Sequence, residues 1–318
     1  MGEKIIMATN DFKPFAVGAG ANVTTQADYE ALAALITGFQ SGKASSAQIN
    51  KAIRQSSVMA SVLAQFISDS ASVDVLDNGN TASLLANLKT ALNLIAQGRL
   101  TAVRVFTASG TYTPTAGTKK IKVTVIGGGG GGGGSAATDS TTRSCGGGGG
   151  AGNTTISILD VTALSLPIAI TIGTQGSQGA AGGSSGGSGG QGGTTQFGTL
   201  LSSLGGAGGG GGSQTTDSLA TVTPNGGTSN ASTSGNILNQ RGSPGLQGIV
   251  GSGNIVSGAG GASSLGGGGN PISASISTNG DNGIYGGGGS GAVSVKSSSV
   301  GKPGGSGGAG VVLIEEYA

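Results

Sequence analysis

The sequence predicts α-helices at the N-terminus, as a coiled coil or small bundle, then a small β-sheet base carrying packed polyglycine II helices with loops. Apolar residues recur every three or four positions within 25–100 and alternate with period two within 101–126. Of the 70 glycines, 61 lie in 127–310, against a usual share of about 7%. We therefore predict an attachment segment (1–24), a helical region (25–100), a sheet base (101–126 with 311–318) and a glycine-rich tip (127–310).

Capping patterns mark where the predicted helices begin. Thr25 with an acidic residue three positions on opens a helix that should end near Gly38. Ser45 with Gln48 opens a second, longer helix. A third helix fits NTASLLANLKTALNLIAQG, and Gly98 is its C-terminal stop.

The second helix carries a narrow apolar stripe at alternating spacings of four and three. Its members are Ile49, Ile53, Ser56, Ala60, Leu63 and Ile67. Stripes of this spacing pack against copies of themselves in coiled coils. We therefore expect self-association, and a monomeric three-helix bundle is the alternative.

Two strand-like runs follow, TAVRVFTASGTYT and KKIKVTVI, which we expect to pair with each other through a turn containing Pro114 and Gly117. In the second run, Ile121, Val123 and Val125 share one face. The apolar run VVLIEEY at 311–317 is expected to pair with these early strands. The glycine-rich region would then leave the sheet and return to it.

The glycine-rich region repeats glycine at every third position over ten-residue stretches. One such row is Gly173, Gly176, Gly179 and Gly182, and further rows begin at residues 183, 242, 280 and 301. Three residues per turn is the period of the polyproline II type of helix, and a bare glycine row lets neighbouring chains approach closely. A flexible linker is one alternative. Collagen is another, although proline is scarce and the triplets are interrupted.

The spacing suggests eight glycine segments that alternate in direction. They are 127–134, 146–152, 173–192, 205–212, 242–251, 266–269, 280–289 and 301–310. On this hypothesis, the connections at the tip are 135–145, 193–204, 252–265 and 290–300. Those at the base are 153–172, 213–241 and 270–279.

Composition argues against several classes of function. With 15 Lys+Arg and 13 Asp+Glu, no basic stripe for nucleic acid is expected. The chain has no His and one Cys, Cys145, so we expect no catalytic triad, metal site or cofactor. No phosphate-binding GxxxxGK[ST] motif, membrane span or signal core is evident. We do not expect an enzyme.

Several stretches resemble bacteriophage or prophage tail fibre proteins. The N-terminal resemblance lies in NDFKPFAVGAGANVTTQADYEAL and SGKASSAQINKAIRQSSVMASVLAQFISD. FTASGTYTPTAGTKKIKVTVIGGGGGGGG and the closing GGAGVVLIEEY are similar to the glycine-rich terminal domain of such fibres. The polyglycine packing is similar to that of T-even phage adhesins. Met7, within MATNDFKPF, looks like an alternative start.

The resemblance implies a homotrimeric virion tail component that is made in the host cytoplasm. Its N-terminal part would attach to a baseplate or tail protein, and its tip would bind a bacterial outer-membrane protein or surface glycan. A structural glycine-rich spacer without receptor recognition is the alternative. A glycan depolymerase would need two positioned carboxylates, and the acidic residues of the tip lie far apart in sequence.

The predicted tip connections are rich in Ser, Thr and Asn, and we expect receptor-binding residues there. Hydroxyl and amide groups supply adaptable hydrogen bonds, and apolar side chains supply buried contacts. The candidates are Asp139, Thr142, Arg143, Phe197, Leu200, Leu201, Asn254, Ile255, Val256, Val293 and Lys296. For each apolar candidate, packing beneath its own loop is the alternative.

Overall fold

The chain divides into two compact units, Met1–Gln97 and Gly98–Ala318. The computed structural model describes residues 8–40, 42, 44–95, 98–216, 221–222, 227–228, 232–251 and 253–318. The suggested start at Met7 lies outside the described residues. Among the helices in these ranges, none is both long and apolar enough to cross a membrane.

The described part of the first unit contains four helices. They are α1 (Gln26–Glu30), α2 (Ala34–Thr37), α3 (Ser46–Ala71) and α4 (Thr81–Ile95). The Thr25 hydroxyl caps α1 by accepting the N–H of Asp28 at 3.2 Å, and Ser45 with Gln48 forms a complete capping box on α3. The predicted single helix from Thr25 to Gly38 is wrong, because the chain forms two short helices there.

The apolar stripe of α3 packs inside the unit only at its C-terminal end. Ile67 is 1% exposed and joins a small core. That core contains Ala64, Ile67 and Val75, with Phe12, Phe66, Val73, Leu84 and Leu88 packed against it. Ile49, Ile53 and Leu63, by contrast, remain 40–48% exposed. Four of the six stripe residues are therefore exposed within one chain, Ala60 is half-buried, and Ile67 is buried.

The second unit is built from short strands and extended glycine segments. The strands are β1 (Leu100–Phe106), β2 (Gly110–Tyr112), β3 (Lys120–Ile126), β4 (Thr142–Cys145), β5 (Thr154–Asp160), β6 (Ile168–Thr171), β7 (Thr195–Phe197), β8 (Leu201–Ser203), β9 (Thr215–Thr216), β10 (Thr221–Val222), β11 (Leu238–Gln240), β12 (Ile249–Val250), β13 (Ile255–Val256), β14 (Val293–Ser294) and β15 (Val311–Tyr317). All described strand pairs are antiparallel.

Two sheets pack together and form what we call the base. Their strand orders are β1-β15-β3-β5-β11 and β2-β6-β7-β8. The buried faces enclose Tyr112, Ile121, Val123, Val125, Ile168, Ile170, Phe197, Leu201, Val312 and Ile314. The expected shared face of Ile121, Val123 and Val125 is confirmed, since all three are 0% exposed.

The last strand pairs with the early strands, as expected, but in a different arrangement. β15 lies between β1 and β3, and β2 pairs with β6 in the other sheet. The expected hairpin between the two early runs is therefore wrong. Inserting the C-terminal strand between them pairs one hydrogen-bonding edge of each.

A buried carboxylate links the connection after β2 to the last strand. Glu316 is fully buried and accepts hydrogen bonds from the Tyr112 hydroxyl at 3.0 Å and the Thr115 N–H at 3.1 Å. The Thr118 hydroxyl donates at 3.2 Å, and the Arg104 guanidinium lies 2.9 Å away. Burial raises the pKa of Glu316, but the hydrogen bonds from Thr115 and Tyr112 and the Arg104 charge together hold it below its ordinary value.

The first glycine segment, 127–135, leaves the end of β3 and is held by backbone hydrogen bonds. Its N–H groups donate, in a strict repeat of three, to carbonyls of 147–153, 187–193 and 302–308, at 2.8–3.0 Å. In each case the partner number falls by three as the donor number rises by three. All three neighbours therefore run antiparallel to the first segment.

The carbonyls of the same segment accept from three further neighbours. N–H groups from 176–182, 206–212 and 289–292 donate to it in the same repeat of three, with both numbers rising together. These neighbours run parallel to it. Six segments thus surround 127–135, which contradicts a flexible linker here, and the mixture of directions contradicts a collagen-like bundle of parallel chains.

The eight-segment hypothesis is wrong in its count. Residues 173–182 run parallel to the first segment, whereas 187–193 run antiparallel, so the chain reverses at 183–185. Additional reversals occur at 263–266, where Ser263 donates to Gly266, and at 284–286, where Gly287 donates to Ile284. The reversal at 183–185 alone would change the direction of every later segment. The later reversals together restore the direction, so the final segment still returns to β15.

Candidate functional site

The glycine segments end, opposite the base, in a set of connections that we call the far end. Beyond the first segment, Ala137 donates to the Gly182 carbonyl and Thr138 donates to the Ser298 carbonyl, both at 2.8 Å. Strand pairs and bridges join the rest. The far end comprises 136–145, 183–185, 213–216, 221–222, 249–251, 253–257, 270–279 and 293–300.

Two connections lie at the opposite end from the one expected. Residues 270–279, predicted at the base, bridge to the far end through Ser273 with Val256 and Thr278 with Val293. Residues 193–204, predicted at the tip, form β7 and β8 of the base. The longer connections 213–241 and 252–265 contain residues from both ends.

Three of the eleven candidate residues therefore lie in the wrong place for a tip site. Phe197 and Leu201 are 0% and 2% exposed and belong to the core of the base. Leu200 is 42% exposed, but it lies in the turn between them. The physical reason is that Phe197 pairs with Ile170 of β6, so the hairpin buries apolar side chains that the sequence pattern had placed in a loop.

The other eight candidates lie at the far end, but not all of them face solvent. Thr142, Ile255 and Val293 are 8%, 2% and 0% exposed. Ile255 and Val293 join Cys145 and Val250 in a small far-end core. For these apolar residues, the alternative of packing beneath the loops is confirmed.

Cys145 lies at the centre of this core. Burial raises the pKa of its thiol to about 12, so the thiol stays protonated at neutral pH. A protonated, fully buried thiol is a poor nucleophile and metal ligand. Cys145 therefore has a structural role, and it supports β4 against β14.

Asp139 is an exposed candidate whose carboxylate is held by its own loop. Its Oδ1 accepts the N–H and hydroxyl of Thr141 and the N–H and hydroxyl of Thr142, at 2.7–2.9 Å. The hydrogen bonds from Thr141, and then those from Thr142, lower the pKa of Asp139 to about 2. The far end therefore carries a fixed negative charge at this point at all physiological pH values.

A cavity of 460 Å³ opens on the far end between Arg143 and Lys296. Residues 253–255, 273–275 and Val295 complete its lining. Four of the predicted candidates, Arg143, Asn254, Ile255 and Lys296, thus share one cavity. Val256 is half-buried on β13 and follows Ile255, but does not line the cavity.

Sequence reasoning missed the contribution of residues 273–275 because it placed their connection at the base. The signal was weak, since PISASISTNG has the same Ser-rich composition as connections at either end. What brings it to the far end is the pairing of Ser273 with Val256 and the packing of Ile272 and Ala274 against the far-end core.

The comparison with protein families found one region of similarity. The glycine-rich domain family matches residues 106–317, which is about two thirds of the chain. The chain belongs to this glycine-rich domain family. The match begins at the last residue of β1 and ends at the last residue of β15. It therefore covers β2 to β15 and the glycine segments between them, which together we call the glycine layer. The comparison with curated proteins found no match.

Proposed function

We propose that this member of the glycine-rich domain family is a phage tail fibre protein that attaches a virion to the bacterial host surface. The observation that carries the proposal is the distribution of side chains. The glycine segments use their backbone to bind one another, whereas exposed and varied side chains lie on the far-end connections. Such a layer acts as a stiff support, and its loops form the adhesive surface.

The support proposed here is a bundle of polyglycine II helices. The three-residue repeat of donors and acceptors around 127–135 favours it, because a helix with three residues per turn directs successive N–H groups to three sides. Six neighbours at hydrogen-bonding distance match this threefold geometry. A β-strand, with its period of two, would direct its hydrogen bonds to only two neighbours.

The N-terminal unit would supply oligomerisation and attachment. The uncovered stripe of Ile49, Ile53 and Leu63 favours self-association, because a coiled coil would bury side chains that one chain leaves 40–48% exposed. We propose a homotrimer because the resemblance to tail fibre proteins implies one. Its partner would be a baseplate or tail protein, and the protein would reside in the virion tail. The resemblance of the first 70 residues to tail fibre proteins supports this part of the proposal.

The experiment is a cell-binding assay with the full chain, fluorescently labelled, on a panel of bacterial strains. A far-end variant combines Asp139→Ala, Asn254→Ala and Ile276→Ala, and a matched base variant combines Lys119→Ala, Thr199→Ala and Leu200→Ala. All six side chains are exposed, and thermal melting of both variants checks that each one folds like the unaltered chain. We expect at least one strain to bind the unaltered chain, with at least tenfold weaker binding for the far-end variant alone.

Equal binding by the two variants would contradict receptor recognition at the far end. Failure of the unaltered chain to bind any strain, while the protein is still found in purified particles, would favour the structural spacer. Light scattering on the same preparations measures the mass in solution and so tests the homotrimer.

A further inference from the structure

We propose that Asn78 is a site of spontaneous covalent modification, at which the side-chain amide is converted through a cyclic imide to aspartate and isoaspartate. Asn78 lies in the connection between α3 and α4 of the first unit. The inference goes beyond the proposed adhesive function and does not depend on it.

The reaction joins the side-chain carbonyl carbon of an asparagine to the backbone nitrogen of the next residue. That nitrogen loses its proton to water and bonds to the carbonyl carbon. The bond from this carbon to the side-chain nitrogen then breaks, and the nitrogen takes up a proton and leaves as ammonia. Water opens the cyclic imide at either carbonyl and gives the two products. Glycine is a favourable next residue, because it has no side chain to obstruct ring closure.

The described residues include three Asn-Gly pairs, which are Asn78–Gly79, Asn279–Gly280 and Asn282–Gly283. In the two later pairs the glycine nitrogen is held by the neighbouring segment. Gly280 donates to the Pro303 carbonyl at 2.9 Å. Gly283 donates to the Ser306 carbonyl at 3.0 Å. Either nitrogen must lose a hydrogen bond before it can react. A fourth pair, Asn225–Gly226, lies outside the described residues.

The nitrogen of Gly79 is not held in this way. Asn78 and Gly79 are both exposed. Within the described part of the chain, no group accepts the Gly79 N–H. A Cβ added at this glycine would meet nothing within 4 Å, so the site is open to water. Removal of the proton by water therefore requires no local unfolding.

The side chain of Asn78 is already oriented for the reaction. Its Oδ1 accepts the N–H of Asn80 at 3.0 Å. This local hydrogen bond folds the side-chain amide back along the chain, toward the Gly79 nitrogen between the two asparagines. Negative charge develops on Oδ1 as the new bond forms, and the Asn80 N–H stabilises that charge. At Asn282, by contrast, Oδ1 accepts the N–H of Ser306 at 2.8 Å, so it is held by the neighbouring segment.

Conversion changes both the charge and the main chain of this connection. Both products carry a carboxylate in place of the amide, beside the carboxylates of Asp74 and Asp77. Isoaspartate also adds a carbon to the main chain, ahead of the turn in which Thr81 donates to the Gly79 carbonyl at 3.1 Å. Val75 holds the same connection in the small core of the first unit. We therefore expect conversion to weaken the packing of α4 on α3.

The test is peptide mass spectrometry of the full chain after prolonged incubation at neutral and mildly alkaline pH. Fragment ions assign amide-to-acid conversion to each asparagine. Conversion at Asn78 should be about tenfold faster or more than at Asn279 and Asn282, because freeing a hydrogen-bonded nitrogen adds to the barrier. Alkaline pH should accelerate it, since the attacking nitrogen must lose its proton. Incubation in guanidinium chloride should remove the difference, because unfolding breaks the hydrogen bonds at all three pairs.

Substitutions locate the reaction. Asn78→Gln places the carbonyl carbon one methylene further along the side chain and should reduce conversion at this position about tenfold or more. Asn282→Gln is the matched control at another exposed Asn-Gly pair, and it should leave the rate at Asn78 unchanged. Thermal melting of fresh samples checks that both variants fold. After incubation, the first unit of the unaltered chain should melt at a lower temperature, whereas the Asn78→Gln chain should retain its original melting.

Similar rates at the three asparagines in the folded chain would overturn the inference. A faster rate at Asn78 that persists in guanidinium chloride would overturn it too, because the sequence and not the fold would then be the cause. A converted chain that melts like the fresh one would contradict the weakened packing of α4. Failure of the proposed adhesion is a separate result, since conversion is measured without cells.

Discussion

The core of the base and the centre of the glycine layer are both buried, but they exclude water by different means. In β3, residues 121, 123 and 125 bury Ile and Val side chains against the facing sheet. Immediately afterwards, residues 127–134 are just as buried without any side chain. Their contacts are carbonyl oxygens and N–H groups of six neighbouring segments. One region is stabilised by apolar burial and the other by repeated backbone hydrogen bonds.

This difference determines which substitutions each region tolerates. A core of side chains relaxes partly around a smaller residue, so the loss follows the atoms removed. A layer of packed backbones has no rotamers to adjust. Adding a single methyl group there must displace a whole segment and its hydrogen bonds.

Gly131→Ala should cause the largest loss of stability among the substitutions considered. An added Cβ would overlap the carbonyl group of Ser177 in the neighbouring segment. We expect a loss of more than about 4 kcal/mol in the free energy of unfolding, which is the range of severe packing defects. Thermal melting of the second unit, followed by circular dichroism, measures it.

The control is Gly183→Ala, where an added Cβ meets nothing within 4 Å and the backbone lies outside the left-handed region. The melting temperature of this variant should equal that of the unaltered chain, or be slightly higher, because alanine reduces the conformational entropy of the unfolded state. Similar melting of the two variants would show that the glycine layer is not close-packed.

Phe197→Ala tests the side-chain core of the base. Phe197 is 0% exposed and packs against Tyr112, with ring centroids 5.8 Å apart. Its removal should cost about 3–5 kcal/mol in the free energy of unfolding, measured by chemical denaturation. Leu200→Ala, three residues on and 42% exposed, should cost far less. If cell binding were lost in Phe197→Ala without a loss of stability, the residue would belong to a binding surface after all.

Glu316→Gln should have the smallest effect and one that depends on pH. The lowered pKa of Glu316 means that its charge stabilises the fold above the ordinary value of 4.5. That stabilisation is lost as the pH falls through the lowered value. At neutral pH, Gln should cost about 1–3 kcal/mol, typical of a hydrogen bond to a charged group.

Denaturation curves from pH 7 down to pH 3 measure the effect. The unaltered chain should lose part of its stability in the acidic range. The difference in free energy of unfolding between it and Glu316→Gln, which we call the gap, should therefore become smaller there. A gap that stays constant with pH would mean that the carboxylate charge contributes nothing.

Local patterns predicted much of the fold because they depend on neighbours in sequence. The Ser45–Gln48 capping box and the alternation of β3 follow from such patterns. The return of β15 to the early strands was predicted from its matching apolar run, although the position of β15 between β1 and β3 was not. The candidate site was predicted less well. Arg143 and Lys296 were placed correctly, whereas Phe197 and Leu201 were not, because composition does not distinguish a loop from a short buried hairpin.

The sequence by itself determined where the glycine-rich region begins and ends, its period of three, and the strands from which it leaves and to which it returns. Only the tertiary structure decided which segments become neighbours, where the chain reverses and which connections share the far end. The physical reason is that a glycine segment presents the same N–H and C=O groups to every neighbour. Without side chains to distinguish one neighbour from another, pairing depends on the packing of the whole layer.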